Sequence, residues 1–155
     1  MVFTDENNEN FIKIDQEQSD YYNNLLGSIA IDYRNTCLDY KDHFVVLVFD
    51  DDLPIACGSF VEYCKDTVEI KNLFVKEGYR NQGLGNTIVK KLEEESKNRG
   101  YDFIILETNI HMPIAISFYS KLNYNLIENY PPFVGNELYV CMKKKIVIYY
   151  IIIVI

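Results

Sequence analysis

Thr67-Val-Glu-Ile-Lys-Asn-Leu-Phe-Val75-Lys-Glu-Gly-Tyr-Arg80-Asn-Gln-Gly83-Leu-Gly85-Asn86-Thr87 is the stretch from which the fold follows. Thr67 to Val75 is apolar and alternating, the pattern of a strand. Leu84, Ile88, Val89 and Leu92 then recur at the spacing of one helix face. Two glycines, with a cation just before them, therefore lie at a strand-to-helix turn. The first N–H groups of a helix have no internal partner and carry the positive end of its dipole. Together with the close backbone approach that glycine permits, this makes a seat for a phosphate or pyrophosphate. Ile88 stands where the dinucleotide pattern needs its third glycine, and no Gly-Lys-Ser/Thr of a Walker loop occurs.

The pattern that does fit is Arg/Gln-x-x-Gly-x-Gly/Ala, met by Arg80, Gly83 and Gly85. It is carried by further blocks: Glu69 to Val75 before the loop, Ile105-Leu-Glu-Thr108 after the helix, and Ala115-Ile-Ser-Phe-Tyr119-Ser-Lys-Leu-Asn-Tyr124. In that order and spacing the chain resembles the GNAT N-acetyltransferase superfamily, from about Val68 to Met142. The resemblance implies an α/β (α+β) acyl-CoA N-acyltransferase fold. Its sheet is mixed and mostly antiparallel, has one splayed parallel strand pair, and is flanked by helices.

The chain has 155 residues, a length suited to one core. It is read as a single domain over 1–145, with 1–10 a loose terminus and 146–155 an apolar tail. Hydrophobic content of 48% and charged content of 25% are globular values. The net charge is −8, and residues 1–52 hold twelve Asp/Glu against three Lys/Arg. Lys71, Lys76, Arg80, Lys90 and Lys91 form a basic patch around the phosphate seat. The acidic remainder argues against nucleic-acid binding and suits a cationic amine. Cys37, Cys57, Cys64 and Cys141 show no metal spacing with His43 or His111, and no metal is expected. The acidic start is not a signal peptide, so reduced, mostly buried thiols in a cytoplasmic protein are expected.

Phe11 to Ile14 alternates and reads as a short strand, and Ser19 to Leu26 and Ile29 to Tyr40 carry helical spacing. Strands are expected over His43–Phe49 and Pro54–Tyr63, with turns at Asp50–Asp52 and Lys65–Asp66. The main helix runs Gly83–Arg99, closed by Gly100. Phe103–Thr108 follows, parallel to Thr67–Val75. Pro113 opens another helix. Tyr124–Ile127 and Leu138–Met142 form a closing antiparallel pair. The ten apolar residues Ile146–Ile155 are too short for a membrane span of about 20 residues. They read as a strand and as a candidate dimer surface.

The resemblance also implies chemistry. Acetyl-CoA would lie in the splay between the two parallel strands, on backbone groups of Phe74 and Val75. Its pyrophosphate would sit on amides from Asn81 to Thr87 (Asn81, Gln82, Gly83, Leu84, Gly85, Asn86 and Thr87), with Arg80 opening the loop. Tyr119 corresponds to the tyrosine near the CoA sulfur and is the expected general acid. Glu69, eleven residues before Arg80, matches the catalytic glutamate of the histone-acetylating branch; other relatives relay through water. The oxyanion donor is expected near Val75. Met112 stands where relatives carry an asparagine, so Asn109 is the substitute contact to CoA. Asn123 replaces the glycine after the second helix. Tyr130 and Phe133 are expected as aromatic walls for the amine. Direct transfer to a primary amine is the reading, with a non-catalytic acyl-CoA-binding module as the alternative.

Overall fold

The computed structural model describes residues 1–30 and 41–146. The strands are β1 (Val2–Thr4), β2 (Phe44–Asp50), β3 (Leu53–Cys64), β4 (Thr67–Val75), β5 (Phe103–Asn109), β6 (Asn125–Ile127) and β7 (Tyr139–Lys145). The helices are α1 (Glu9–Leu26), α2 (Leu84–Asn98) and α3 (Pro113–Lys121). One seven-stranded sheet runs β1-β2-β3-β4-β5-β7-β6. Every neighbouring pair is antiparallel except β4 and β5. The expected mixed sheet with one parallel pair is thus the fold observed.

The alternation of β4 sorts its side chains between two cores. Val68 and Ile70 face α2, whose Ile88, Val89 and Leu92 are fully buried against Ala56, Phe60, Ile104, Leu106 and Met142. Fully burying each such side chain contributes about 1.5–3 kcal/mol. On the other face Phe11 and Ile14 of α1 pack on Val45, Leu47, Cys57 and Phe74. Gly58 lets α2 approach the sheet, because a Cβ there would lie 2.5 Å from Ile88 Cγ2.

Two sequence expectations change. Residues 1–10 are not loose: β1 pairs with β2 (Val2↔Leu47 to Thr4↔Val45), and α1 begins at Glu9. Phe11–Ile14 is helix rather than strand. The Asn8 side chain accepts from the N–H groups of Asn10 and Phe11, an N-cap that starts the helix upstream of the alternating run. Among the described cysteines, Cys57 and Cys141 are buried and free, but Cys64 is exposed. Asn123 does adopt the left-handed conformation of the glycine it replaces, with φ 66°. The expected helix over residues 29–40 lies, for the most part, outside the described residues, as does the tail beyond Ile146. Among the described residues no helix is long and apolar enough to cross a membrane.

Gly58→Ala is expected to lower stability by about 1–3 kcal/mol through overpacking against Ile88, measured by urea denaturation. A variant as stable as wild type would contradict this packing.

Candidate active site

β4 and β5 pair over only three residues: Thr67↔Phe103, Val68↔Ile104 and Glu69↔Ile105. Beyond that point β4 stays on β3 as far as Ala56↔Val75, and β5 stays on β7 as far as Asn109↔Tyr139. The two strands fork, and each keeps one unpaired edge. A bulge marks the divergence. The β3 register jumps from Cys57↔Phe74 to Ser59↔Lys71, and Asn72 between them has φ 54°.

Bond phase shows which peptides face the opening. Lys76 N–H donates to Ile55 C=O at 2.9 Å, and antiparallel bonding alternates. Phe74 therefore turns its peptide toward Cys57 on β3, while Val75 turns its own toward the fork. Two side chains reach carbonyls here. Gln18 Nε2 donates to Leu73 C=O at 3.4 Å, and Arg80 Nε donates to Val75 C=O at 2.9 Å. Of the two residues expected to offer backbone contacts, Val75 turns its peptide to the fork and Phe74 does not.

At the mouth of the fork, a short 3-10 turn (Glu77–Tyr79) leads to Asn81 with φ 61° and Gly83 with φ 79°. Gly83 is the N-cap of α2 and offers no side chain, so the amides of Leu84, Gly85 and Asn86 have no capping side chain. Thr87 does not belong with them. Its N–H and its hydroxyl both donate back to Gly83 C=O, at 3.0 and 3.1 Å. Gly85 serves packing, because a Cβ there would meet Phe118 of α3 at 3.3 Å. Arg80 is also committed. Its Nη1 donates to Tyr21 OH at 3.1 Å, and its guanidinium lies 4.5 Å from the Tyr21 ring centre. It pins the end of β4 to α1. The expected basic patch is largely partnered internally, with Lys76 on Glu17 and Lys91 on Glu94.

Behind the fork, on the α1 side of the sheet, lies a buried charge cluster. Lys71 Nζ is 3.0 Å from Glu69 Oε1 and 3.3 Å from Glu107 Oε1. The side-chain exposures of Lys71, Glu69 and Glu107 are 9%, 0% and 6%. Tyr130 OH donates to Glu69 Oε1 at 2.8 Å, while Glu69 Oε2 is buried with no partner among the described residues. Tyr119 is buried, and burial first, then Tyr22 and Glu107, pushes its phenol well above the usual range. Burial likewise raises Tyr22, against a hydrogen bond from Gln18. Burial, then Glu69 and Glu107, raises Tyr130. Burial pushes the Cys141 thiol up to about 11. All three phenols therefore stay protonated donors at neutral pH. Phe133 is not an open wall: it is 1% exposed and packs on Tyr139 and Cys141.

An open fork with a helix N-terminus at its mouth meets a family pattern here. The acetyltransferase (GNAT) family model matches residues 3–124. The chain belongs to this family. A Xenopus tropicalis relative, "Probable N-acetyltransferase 14", is 31% identical over 83 residues, covering 52% of this chain and 40% of that protein. Matched curated relatives are covered over 40%, 26% and 51% of their own length, so the chain spans about half of them or less. Among solved structures, a Klebsiella pneumoniae protein of acyl-CoA N-acyltransferase type superposes with TM-score 0.78 at 22% identity, over 94% of this chain and 97% of that one. An aminoglycoside 6'-N-acetyltransferase complexed with coenzyme A gives 0.63 at 18% identity, over 97% and 99%.

In this GNAT domain the fork leaves an unpaired strand edge, and the first amides of α2 stand without a capping side chain at its mouth. Asn109 Nδ2 is a buried donor with no partner among the described residues, and its Oδ1 accepts from His111 N–H at 2.9 Å. Among the described residues no group of three or more His, Cys, Asp or Glu is arranged to hold a metal.

Sequence reasoning missed Lys71 as the ion partner that Glu69 shares with Glu107, and Gln18 and Tyr22 on α1. One signal was available: charges at Glu69, Lys71 and Glu107 interrupt otherwise apolar strands. Lys71→Met would remove the ion pairs to two buried carboxylates, Glu69 and Glu107, which is expected to cost about 3–5 kcal/mol in urea melts at pH 7. A variant as stable as wild type would contradict the ion triad.

Proposed function

We propose that this domain transfers an acetyl group from acetyl-CoA directly to a primary amine. The observation carrying the reading is the fork that opens beyond Glu69↔Ile105, with the Val75 peptide on its edge and the start of α2 at its mouth. Bound acetyl-CoA would supply an activated acyl thioester. The amides of Leu84, Gly85 and Asn86 would take the pyrophosphate, and the loop Asn81–Gly83 would bring the chain close to it. Asn109 Nδ2 would donate to a carbonyl of the pantetheine arm.

The Val75 N–H would stabilise the charge that develops on the carbonyl oxygen. A lysine-type ammonium has a pKa near 10, so the acceptor must lose a proton before attack. Glu69 is the proposed base through Oε2, its other oxygen being held by Lys71 and Tyr130. Glu107 is the second carboxylate close enough to share that role by way of Lys71 or water. Tyr119, kept protonated by burial, would donate to the sulfur as it leaves. The ammonium gives up two protons in all, one before attack and one as the tetrahedral intermediate collapses. One is matched by the proton that the departing thiolate receives, and the other passes to solvent. With both substrates bound together, no covalent enzyme intermediate is needed. The acidic balance of the chain, −8 overall, favours a cationic acceptor, a small amine or a peptide amine.

The test is thiol release from acetyl-CoA with a panel of amines. Release is expected with at least one cationic amine. Tyr119→Phe is expected to lower kcat by about 10²–10⁴-fold and leave CoA affinity within about twofold. CoA binding without release for any amine would move the reading to a non-catalytic acyl-CoA-binding module. Gly83→Glu would place a carboxylate at the proposed pyrophosphate seat and is expected to raise the CoA dissociation constant at least about tenfold. Unchanged affinity would refute that seat.

A further inference from the structure

Asn72 is, among the described residues, the one non-glycine inside a strand with a left-handed backbone. It sits at the bulge where β4 leaves β5, and its side chain is held at both ends. Nδ2 donates to Asp15 Oδ1 at 2.6 Å. Oδ1 accepts from the Ser59 hydroxyl at 2.9 Å, and Ser59 Oγ also lies 3.3 Å from Lys71 C=O. With that hydroxyl donating to Asn72, His43 Nδ1 at 3.1 Å faces Ser59 Oγ as a donor. The Asn72 carbonyl in turn accepts from Cys57 Sγ–H at 3.1 Å. One polar chain thus runs from His43 on the β2 side through β3 and the bulge to α1. Ser59 and Cys57 are fully buried, so water cannot replace either contact at little cost.

Asp15 is the α1 end of this chain, and the helix continues along the same strand end. Gln18 reaches Leu73, Glu17 reaches Lys76 and Tyr21 reaches Arg80. The Asp15–Asn72 contact is the shortest of the set. A bulge residue fixes how the peptides after it are turned. Here those are Leu73 to Val75, the edge on the fork.

From this we infer that Asp15 is a positioning residue for acetyl-CoA. Through Asn72 it holds the bulge, and the bulge aims the Leu73–Val75 edge at the pantetheine arm. Asp15 need not touch the ligand. The helix that carries Gln18 and Tyr22 toward the fork is thereby latched to the cofactor edge. The inference rests on the acetyl-CoA reading of the fork.

The test measures coenzyme A binding to the full chain by calorimetry, with thermal melting alongside. Asp15→Leu removes the acceptor. Asn72→Gly removes both side-chain bonds but tolerates the backbone conformation. Asp15→Asn keeps an oxygen that can accept from Asn72. Asp15→Leu and Asn72→Gly are expected to weaken coenzyme A binding about tenfold or more at a temperature where both remain folded, with Asp15→Asn within about threefold of wild type. In the transfer assay KM for acetyl-CoA should rise more than kcat falls. Hydrogen exchange at Val75 should quicken in the same two variants, without equal quickening in α2. Wild-type affinity in a folded Asn72→Gly protein would overturn the latch while leaving the cofactor reading intact. Equal losses in Asp15→Leu and Asp15→Asn would overturn it too, since charge rather than the acceptor would then be at work. Should Asp15→Leu not fold, Asn72→Gly decides alone. A wild-type chain that does not bind coenzyme A would overturn both this inference and the reading beneath it.

Discussion

A strand can satisfy its backbone on two sides only while both neighbours keep its register, and β4 loses one neighbour halfway along. After Glu69↔Ile105 the parallel ladder with β5 ends, while the antiparallel ladder with β3 continues to Val75. Polar backbone groups left facing an interior gap are costly unless something meets them. In this molecule the nearby residues meet only part of the need. Gln18 and Arg80 supply donors to the carbonyls of Leu73 and Val75. The Gln18 contact is long, and Gln18 Oε1 is itself buried without a partner among the described residues. Among the described residues three such orphaned side-chain atoms occur, on Gln18, Glu69 and Asn109. All three belong to elements that border the fork. The other buried polar side-chain atoms of the described residues are satisfied, so the unmatched ones gather where the proposed ligand would lie.

The charges behind the fork follow from the same geometry. Glu69 and Lys71 lie two apart on β4, and Glu107 lies on β5 beside them, so all three point to the α1 face. A lone carboxylate at 0% exposure would be prohibitive, yet Lys71 lies within ion-pair distance of both acids and Tyr130 adds a hydrogen bond. Around the cluster stand phenols that burial holds in their neutral form. The proposed acid and base roles rest on this placement of carboxylates and phenols side by side.

Much of this was legible in the amino-acid order. The alternating run Thr67–Val75 is β4 to the residue, and Pro113 begins α3 because a proline costs nothing where a helix has no bond to lose. The turn Asp51-Asp52, the cap at Gly100 and the left-handed Asn123 were equally local matters. The failures have a common cause. Phe11 to Ile14 alternates like a strand, but Phe11 and Ile14 are also one helical step apart, and only the Asn8 cap decides between the two. β1 is held by main-chain bonds to β2, and its side chains are mostly exposed, so its composition resembles a loop. Arg80, Thr87 and Phe133 carried residue types suited to a ligand, yet the first two bond to their own chain and the third is core. Such commitments join segments far apart in sequence, as Tyr130 to Glu69 does, and no local pattern reports them.

Helix α1 is where these strands of reasoning meet. This helix bonds to the bulge, to the Leu73 carbonyl, to Lys76 and to Arg80, and on the proposed reading its exposed end lies toward the acceptor. An acceptor that shifted α1 would have to disturb at least one of these contacts, and each ends on the strand or loop assigned to CoA. Acceptor and cofactor surfaces on separate rigid bodies could be exchanged independently by substitution. On the proposed reading a shared helix removes that freedom, because any residue of α1 that met the amine would sit within a few helical turns of Asp15 and Gln18, which hold the β4 edge. Changes of acceptor preference in this domain should therefore arise more readily in the Tyr130 loop, which touches Glu69 without holding β4's bulge, than in the face of α1 that carries Asp15 and Gln18.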